Sequence, residues 1–493
     1  MRSLLALAAC SLLAVLPACT QKKIIRNSAP PAEVPAEDEE EEEPIDTEPK
    51  TDPLVIDLGE VEAGKDVSFE IPEGALGFNI TVEGKVADFD PNRPFGIQRI
   101  TDPKGNLVHD AYTPKGGTKE TSIATFDVIA SASVPQGEGV PKDLAGKWKV
   151  RFGVYGSSAK PKLKGQVRVQ SSGDGEFHGG ALDLYVHVPS GLRIGNRTVD
   201  ASDAENDRDV SERIETFFAL TSNLLGIEKG KVVYSEESSD YRELDGVEAL
   251  LRGFSISSGQ KDGTQALHVL LTNLIGEGGQ PFAAGISPGI PGAATIFGRN
   301  VSGIIVTTSH SVDQDVLTML HEAGHFFGLN HTTEFDGQSS DPLSDTPVCE
   351  GISRDDLFDC PDRTNIMFAA GAIDGPVTLS PSQKRVYRGS PIYRAFNAGG
   401  GSTMSFAPRA PARSMAPSFK RTFRVSGSDV LSPVERELSS GFCGLNALDA
   451  NGLVARHGRA PAIAQLTAAA ADADLAPYIR GRANLALRSL GAR

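Results

Sequence analysis

Hydrophobic and polar positions fall into two patterns along the chain. From Leu54 to about Val169, short runs (LVIDLG, VSFEIP, FNITVEG, TFDVIA, GKWKVRFGVY, QVRVQ) are separated by turn sequences such as PEGA and DPKG. Short strands with regular turns predict an all-β sandwich over residues 53–172. Trp148, the single tryptophan, is then a core anchor. A second pattern starts near Gly180. ALDLYVHVP predicts a strand, and the stretch from Asp209 predicts a long amphipathic helix. There Val210, Ile214, Phe217, Phe218, Thr221, Leu224 and Leu225 recur at helical spacing. VVYSEES and ALHVLLTNLI read as strands, and a Gly/Pro-rich stretch leads into the strand SGIIVTTS. Ser311 with Gln314 forms a capping-box signal that opens a helix. Ser380-Pro-Ser-Gln383 opens another, with proline at the first helical position. Residues 178–395 are thus expected to form an α/β domain.

The ends follow other rules. Arg2, an apolar run from Leu4 to Leu16 and small residues form an export signal over 1–18, too short to span a membrane. Residues 19–52 are rich in Pro, Ala, Glu and Asp, with an unbroken acidic run from Glu37 to Glu43. Like charges repel and proline stiffens, so an extended, disordered stalk is expected, with a calcium-binding tract as the alternative. Residues 396–435, rich in Gly, Ser, Pro and Arg, read as a linker. Residues 436–493 are rich in Ala and Leu at helical spacing.

Charge and cysteine narrow the field. The net charge is −16 over 493 residues, which excludes nucleic acid as a partner because phosphates would be repelled. Cys10 leaves with the signal. In an exported protein disulfides persist, and Cys349 and Cys360 enclose a short loop and are the natural pair. Cys443 is left odd, free or buried. No oligomer is implied.

The stretch HEAGHFFGLNH, His321 to His331, carries the candidate chemistry. On a helix His321 and His325 lie on one face, one turn apart, and can grip one tetrahedral ion. Glu322 projects sideways, toward a water rather than toward the ion. Gly328 can adopt the positive φ that ends the helix, and His331 then returns as a third ligand. His187 and His310 read as ordinary polar positions.

HExxHxxGxxH is the signature of the metzincin zinc metalloproteases, and all its fixed positions are present. The resemblance implies a catalytic domain with a twisted mixed sheet and a zinc helix, Zn2+ as cofactor and a peptide substrate. Asn365-Ile366-Met367-Phe368 resembles the metzincin Met-turn, with Met367 as floor of the site; a core methionine filling a gap is the alternative. The Asp345-Thr346-Pro347 triplet, the Cys349/Cys360 pair and Asn365 are most similar to the pappalysin type. That resemblance implies a disulfide-stabilised segment with bound Ca2+, and Asp341, Asp345 and Thr346 become its candidate ligands; a turn-rich surface loop is the alternative. One position departs: where several metzincins place a tyrosine two residues after the methionine, this chain has Ala369.

Three further resemblances concern the rest of the chain. Leu16-Pro17-Ala18-Cys19 resembles a bacterial lipobox, which implies a lipidated Cys19. With Thr20 next, it implies an outer-membrane lipoprotein, facing the periplasm or the cell surface. An ordinary signal peptide with an incidental cysteine is the alternative. The N-terminal β-region resembles the jelly-roll domains beside secreted bacterial proteases, and the C-terminal segment a HEAT-type helical pair. Two functions then compete: an envelope-tethered zinc endopeptidase with Glu322 as general base, or a surface binding or adhesion lipoprotein whose zinc site is structural or weakly active. Glu322 separates them, since a structural site has no need of it.

Overall fold

The computed structural model describes residues 50–85, 95–110, 124–126, 129–154, 160–256, 265–277, 280–281, 283–294, 303–308, 311–334, 340–349, 360–369 and 377–397, and near the C-terminus 454, 458–471, 487 and 490. The expected export signal, Cys19, the stalk through residue 49, His310, the linker beyond residue 397 and Cys443 lie outside the described residues.

The first strand, β1 (Lys50–Thr51), precedes a two-layer β-region. It consists of β2 (Leu54–Glu62), β3 (Asp66–Ile71), β4 (Ala75–Glu83), β5 (Phe95–Thr101), β6 (Leu107–Asp110), β7 (Ala124–Phe126), β8 (Ile129–Val134), β9 (Gly146–Val154) and β10 (Lys162–Ser171). The order is β2-β10-β4-β8-β7 in one sheet and β3-β9-β5-β6 in the other, and every pairing is antiparallel. The alternation seen in the sequence places Phe78 and Ile80 of β4 inward against Phe69 of β3 and Trp148 of β9. Trp148 is fully buried. Its ring meets Phe78 edge-on at 4.9 Å, and its Nε1–H donates to Leu144 O at 2.7 Å, the partner a buried indole needs.

The second half runs β11 (Gly180–Pro189), the small hairpin β12 (Arg193–Ile194) and β13 (Arg197–Thr198), α1 (Arg208–Leu225), β14 (Ile227–Glu237), β15 (Glu243–Asp245) and α2 (Val247–Phe254). Then come β16 (Leu267–Thr272), β17 (Leu274–Glu277), β18 (Gln280–Pro281), β19 (Gly285–Ile286), β20 (Gly303–Thr307), α3 (Val312–Phe327), α4 (Pro381–Arg388) and β21 (Arg394–Phe396). Strands β14, β11, β16 and β20 are parallel neighbours, and β19 pairs antiparallel with β20. The sheet is therefore mixed. One apolar face of this sheet packs on α1 and α3 through Leu184, Val186, Val269 and Val306 against Phe217, Met319 and Phe326. The opposite face, through Leu270, Ile286 and Ile305, belongs to the same apolar cluster as the interior of the β-region.

Helix limits follow local chemistry. Asp207 caps α1 by accepting from the Asp209 and Val210 N–H groups, and Gly226 ends it at φ 73°. Across α1 and α3, Arg213 and Asp315 form a buried ion pair at 2.7 Å. Ser311 accepts from Gln314 N at the start of α3, whereas Ser380 and Gln383 satisfy both halves of a capping box at α4.

Three details differ from the sequence expectation. ALHVLLTNLI is two strands, β16 and β17, because Asn273 turns its side chain to the backbone of Arg193. Lys50 and Thr51, placed in the stalk above, pair with β21, which in turn pairs with the start of β11. Of the expected helical pair at the C-terminus, the described residues contain one helix, α5 (Arg459–Ala471).

Candidate metal centre

Helix α3 carries His321, Glu322 and His325, and all three are buried. Gly328 ends the helix at φ 116°, with its N–H on the carbonyls of Gly324 and His325. This turn brings His331 back. The three Nε2 atoms lie 3.0, 3.2 and 3.2 Å apart. Tetrahedral zinc with Zn–N bonds of ~2.0–2.1 Å would set its nitrogens ~3.3–3.4 Å apart, so the cluster is close to that size.

The ring orientations strengthen the fit. His321 Nδ1 lies 2.6 Å from Ile366 O and His325 Nδ1 lies 2.7 Å from Leu329 O. A carbonyl only accepts, so both Nδ1 atoms carry the proton. Burial, aided by His331, pushes protonation of His321 down to about 3. Burial, aided by the two other rings, holds His325 well below the usual imidazole range. His331 Nδ1 donates to Glu334 Oε2 at 2.9 Å. With each Nδ1 turned outward to an acceptor, the three Nε2 atoms face one another. Lone pairs converging in a buried space need a cation, and His321, His325 and His331 fit Zn2+.

Glu322 stands beside them. Burial raises its carboxyl well above the usual carboxylate range, against the Ser287 N–H that donates to it. Its Oε2 has no hydrogen-bond partner among the described residues. Gly285 of β19 leaves room for it: a Cβ there would stand 2.6 Å from Glu322 Cγ.

The floor is built from a distant segment. Met367 is fully buried, and its Sδ lies where a Cβ on Gly324 would come within 2.4 Å. Ile366 O receives His321, and Met367 O accepts from Thr332 N at 3.0 Å. The turn thus holds the first ligand and the chain just after the third. Asn365 Oδ1 accepts from Met367 N at 2.9 Å, and its Nδ2 donates to Gln383 Oε1 at 2.7 Å. Gln383 also caps α4, so one side chain joins that helix to the turn. Ala369 follows, half-buried.

Cys349 and Cys360 are joined in a disulfide. The acidic candidates divide. Thr346 Oγ1 donates to Asp341 Oδ1 at 2.6 Å. Asp345 instead receives Ser380 Oγ and Ser382 N, both at 2.8 Å, at the start of α4. Burial, with Asp345 and Asp362 nearby, pushes Asp341 up to about 7. Asp341 Oδ2 and Asp362 Oδ1 are both buried without a hydrogen-bond partner among the described residues.

Glu334, Asp362, Ser287 and Gln383 were not anticipated from sequence. Only Glu334 carried a local signal, as an acid three residues after His331. On the other face of the sheet His187 bridges Glu237 (2.7 Å) and His268 (2.8 Å), a buried polar row away from the cluster.

No family model and no curated protein matches the chain. Among solved structures it is similar to an archaemetzincin from Methanopyrus kandleri, at 19% identity and a TM-score of 0.23, over 43% of this chain and 89% of that one. It is also similar to metalloproteinase-II from Bacteroides fragilis, at 18% identity and a TM-score of 0.23, over 37% of this chain and 52% of that one, about half its length. Likenesses at these scores carry no argument. What defines the class is the site itself, a buried three-histidine centre that fits zinc, with a carboxylate alongside.

Proposed function

We propose that this chain is a zinc-dependent endopeptidase of the metzincin type, most similar to the pappalysins. The convergence of three Nε2 atoms beside Glu322 Oε2, which has no hydrogen-bond partner among the described residues, carries the reading. Zinc bound there supplies a Lewis acid that polarises a peptide carbonyl and acidifies water. Glu322 takes the proton from the attacking water and delivers it to the leaving amine. Strand β19 runs antiparallel at the end of the described sheet, next to Glu322. An extended peptide pairs with it by strand addition, which lays the scissile bond along the site.

Calcium joins the disulfide-closed segment through Asp341 and Asp362, whose unpartnered buried oxygens suit a hard cation. The chain is an outer-membrane lipoprotein anchored through Cys19, with the acidic stalk as tether. That reading rests on the LPAC sequence and the composition of residues 19–49. No helix among the described residues is long and apolar enough to cross a membrane.

Glu322→Gln tests the function. It is expected to keep the fold and one zinc per chain while abolishing cleavage of casein or gelatin. If the wild-type protein, loaded with zinc and calcium, cleaves neither protein nor a peptide library, the endopeptidase reading is wrong and the adhesion lipoprotein takes its place.

A further inference from the structure

Among the described residues, a buried side chain of the β-region reaches the turn between two of the histidines. Gln136 follows β8 and is 2% exposed. Its Nε2 donates to Gly328 O at 2.8 Å. Gly328 is the residue that ends the zinc helix, and a Cβ on it would stand 2.9 Å from Gln136 Nε2. Glycine is therefore required twice: for its φ of 116° and to admit the amide from the β-region.

The bond acts on the ligands through the two peptide units that flank Leu329. Fixing the Gly328 carbonyl fixes the plane of the 328–329 peptide. Leu329 N donates to Gly324 O at 2.9 Å, and Leu329 O receives His325 Nδ1 at 2.7 Å. His331 follows two residues on. A rotation of this peptide would turn the backbone that orients the second ligand and re-aim the third. Groups that orient ligands in this way change metal affinity by about 10- to 100-fold when removed.

Other contacts between the halves go elsewhere. Ser131 Oγ donates to Pro291 O at 2.7 Å, Arg385 Nη2 donates to Pro141 O at 3.0 Å, and Glu138 Oε1 accepts from Ser344 N at 2.9 Å. These hold the two halves together. Gln136 alone among them meets the turn between two ligands.

We infer that Gln136 is a positioning residue of the metal centre, supplied by the β-region, which sets the geometry of His325 and His331 through the Gly328 carbonyl. The inference rests on the zinc reading of the histidine cluster.

The test uses the whole exported chain with Gln136→Met, which keeps the volume and removes the donor. Glu138→Ala, at the exposed rim of the same contact, is the control. Zinc affinity is measured by competition with a chromogenic chelator, and ligand geometry by the visible spectrum of the cobalt(II)-substituted protein. Gln136→Met is expected to bind zinc at least ~10-fold more weakly and to shift the cobalt bands, while Glu138→Ala matches wild type in both. Should Gln136→Met not fold, Gln136→Asn, whose amide is one methylene too short to reach the carbonyl, is held to the same expectation. Unchanged affinity and spectrum in a folded Gln136 variant overturn the inference and leave the zinc reading standing. Equal weakening in Glu138→Ala also overturns it, since docking alone then explains the effect. A wild-type chain that takes up no zinc overturns both.

Discussion

Gly285→Ala is a one-carbon test of how β19 and Glu322 fit together. The added Cβ would stand 2.5 Å from Thr318 Cγ2, 2.6 Å from Glu322 Cγ and 3.1 Å from Glu322 Oε1. Carbon atoms in ordinary contact sit ~3.6 Å apart or more, so each carbon contact is short by about 1 Å. The strand has little freedom to retreat, because Gly285 and Ile286 pair with Val306 and Ile305 and Ala284 O accepts from Thr307 N at 2.8 Å. Glu322 therefore gives way, and its bond from Ser287 N–H weakens. A catalytic group misplaced by ~1 Å costs about 10²-fold in rate, which is ~2.7 kcal/mol of barrier. The ligands themselves are untouched. The expected result is kcat on an internally quenched peptide reduced about 10²-fold, with KM within ~3-fold and zinc still at one per chain by elemental analysis. Adding Thr318→Ser removes the Cγ2 contact, opens space beside the new methyl, and should return part of the lost kcat. If Gly285→Ala alone keeps kcat within ~3-fold of wild type at full zinc, the placement of Glu322 against β19 is refuted.

Three further outcomes follow from the packing. Gly324→Ala should be destabilising even though alanine favours a helix by ~1 kcal/mol. The new Cβ meets Met367 Sδ at 2.4 Å, and overpacking costs ~1–3 kcal/mol; a raised thermal midpoint would contradict this. Arg213→Ala removes the guanidinium paired with buried Asp315 and should cost ~3–5 kcal/mol in denaturant unfolding, whereas Arg213→Met with Asp315→Leu should recover most of it; equal loss in both would contradict the reading. Asp341, pushed up to about 7 by burial, binds its proton more tightly when folded than when unfolded. Its stabilising effect is complete below the unfolded value of ~3.9 and is lost as pH rises through about 7. In chelator, stability should fall between about pH 4 and pH 7, by at most ~4 kcal/mol from this group. Calcium or Asp341→Asn should flatten that slope, and an unchanged slope in Asp341→Asn would assign it to other groups.

Much of the centre could be read from sequence because its essential geometry is local. His321 and His325 need only a helix, and Gly328 needs only its positive φ to return His331. Met367 was legible because a methionine in an Asn-x-Met turn is an unusual combination. What escaped depends on contacts that no periodicity records. Ser287 reaches Glu322 across 35 positions of sequence, and Gln383 meets Asn365 only because α4 folds back beneath the turn. The acidic segment shows the same limit. The pappalysin resemblance put Asp345 with Thr346 among the candidate Ca2+ ligands, yet both its oxygens serve the start of α4. Asp362, on the far side of the disulfide, has the unpartnered oxygen. Asn273 interrupts a run of apolar residues because its amide satisfies the Arg193 backbone, a long-range polar demand invisible to a hydropathy pattern.

Composition separates residues 53–172 from those after 178, and the sheets change there too, but the two parts share an apolar cluster. Among the described residues, the chain enters the α/β half first, through β1 against β21. It then builds the β-region and returns through β11. Leu270, Ile286 and Ile305 on the underside of the seven-stranded sheet share one apolar cluster with Phe78 and Trp148. Removing the β-region would expose that underside as well as remove Gln136 from the zinc turn. Accessory domains joined by a linker can be lost with their function alone. This one is enclosed between strands of the same sheet and shares its core, so its loss reaches the metal ligands. Gly328 is then required from two directions, by the helix it ends and by the glutamine it admits.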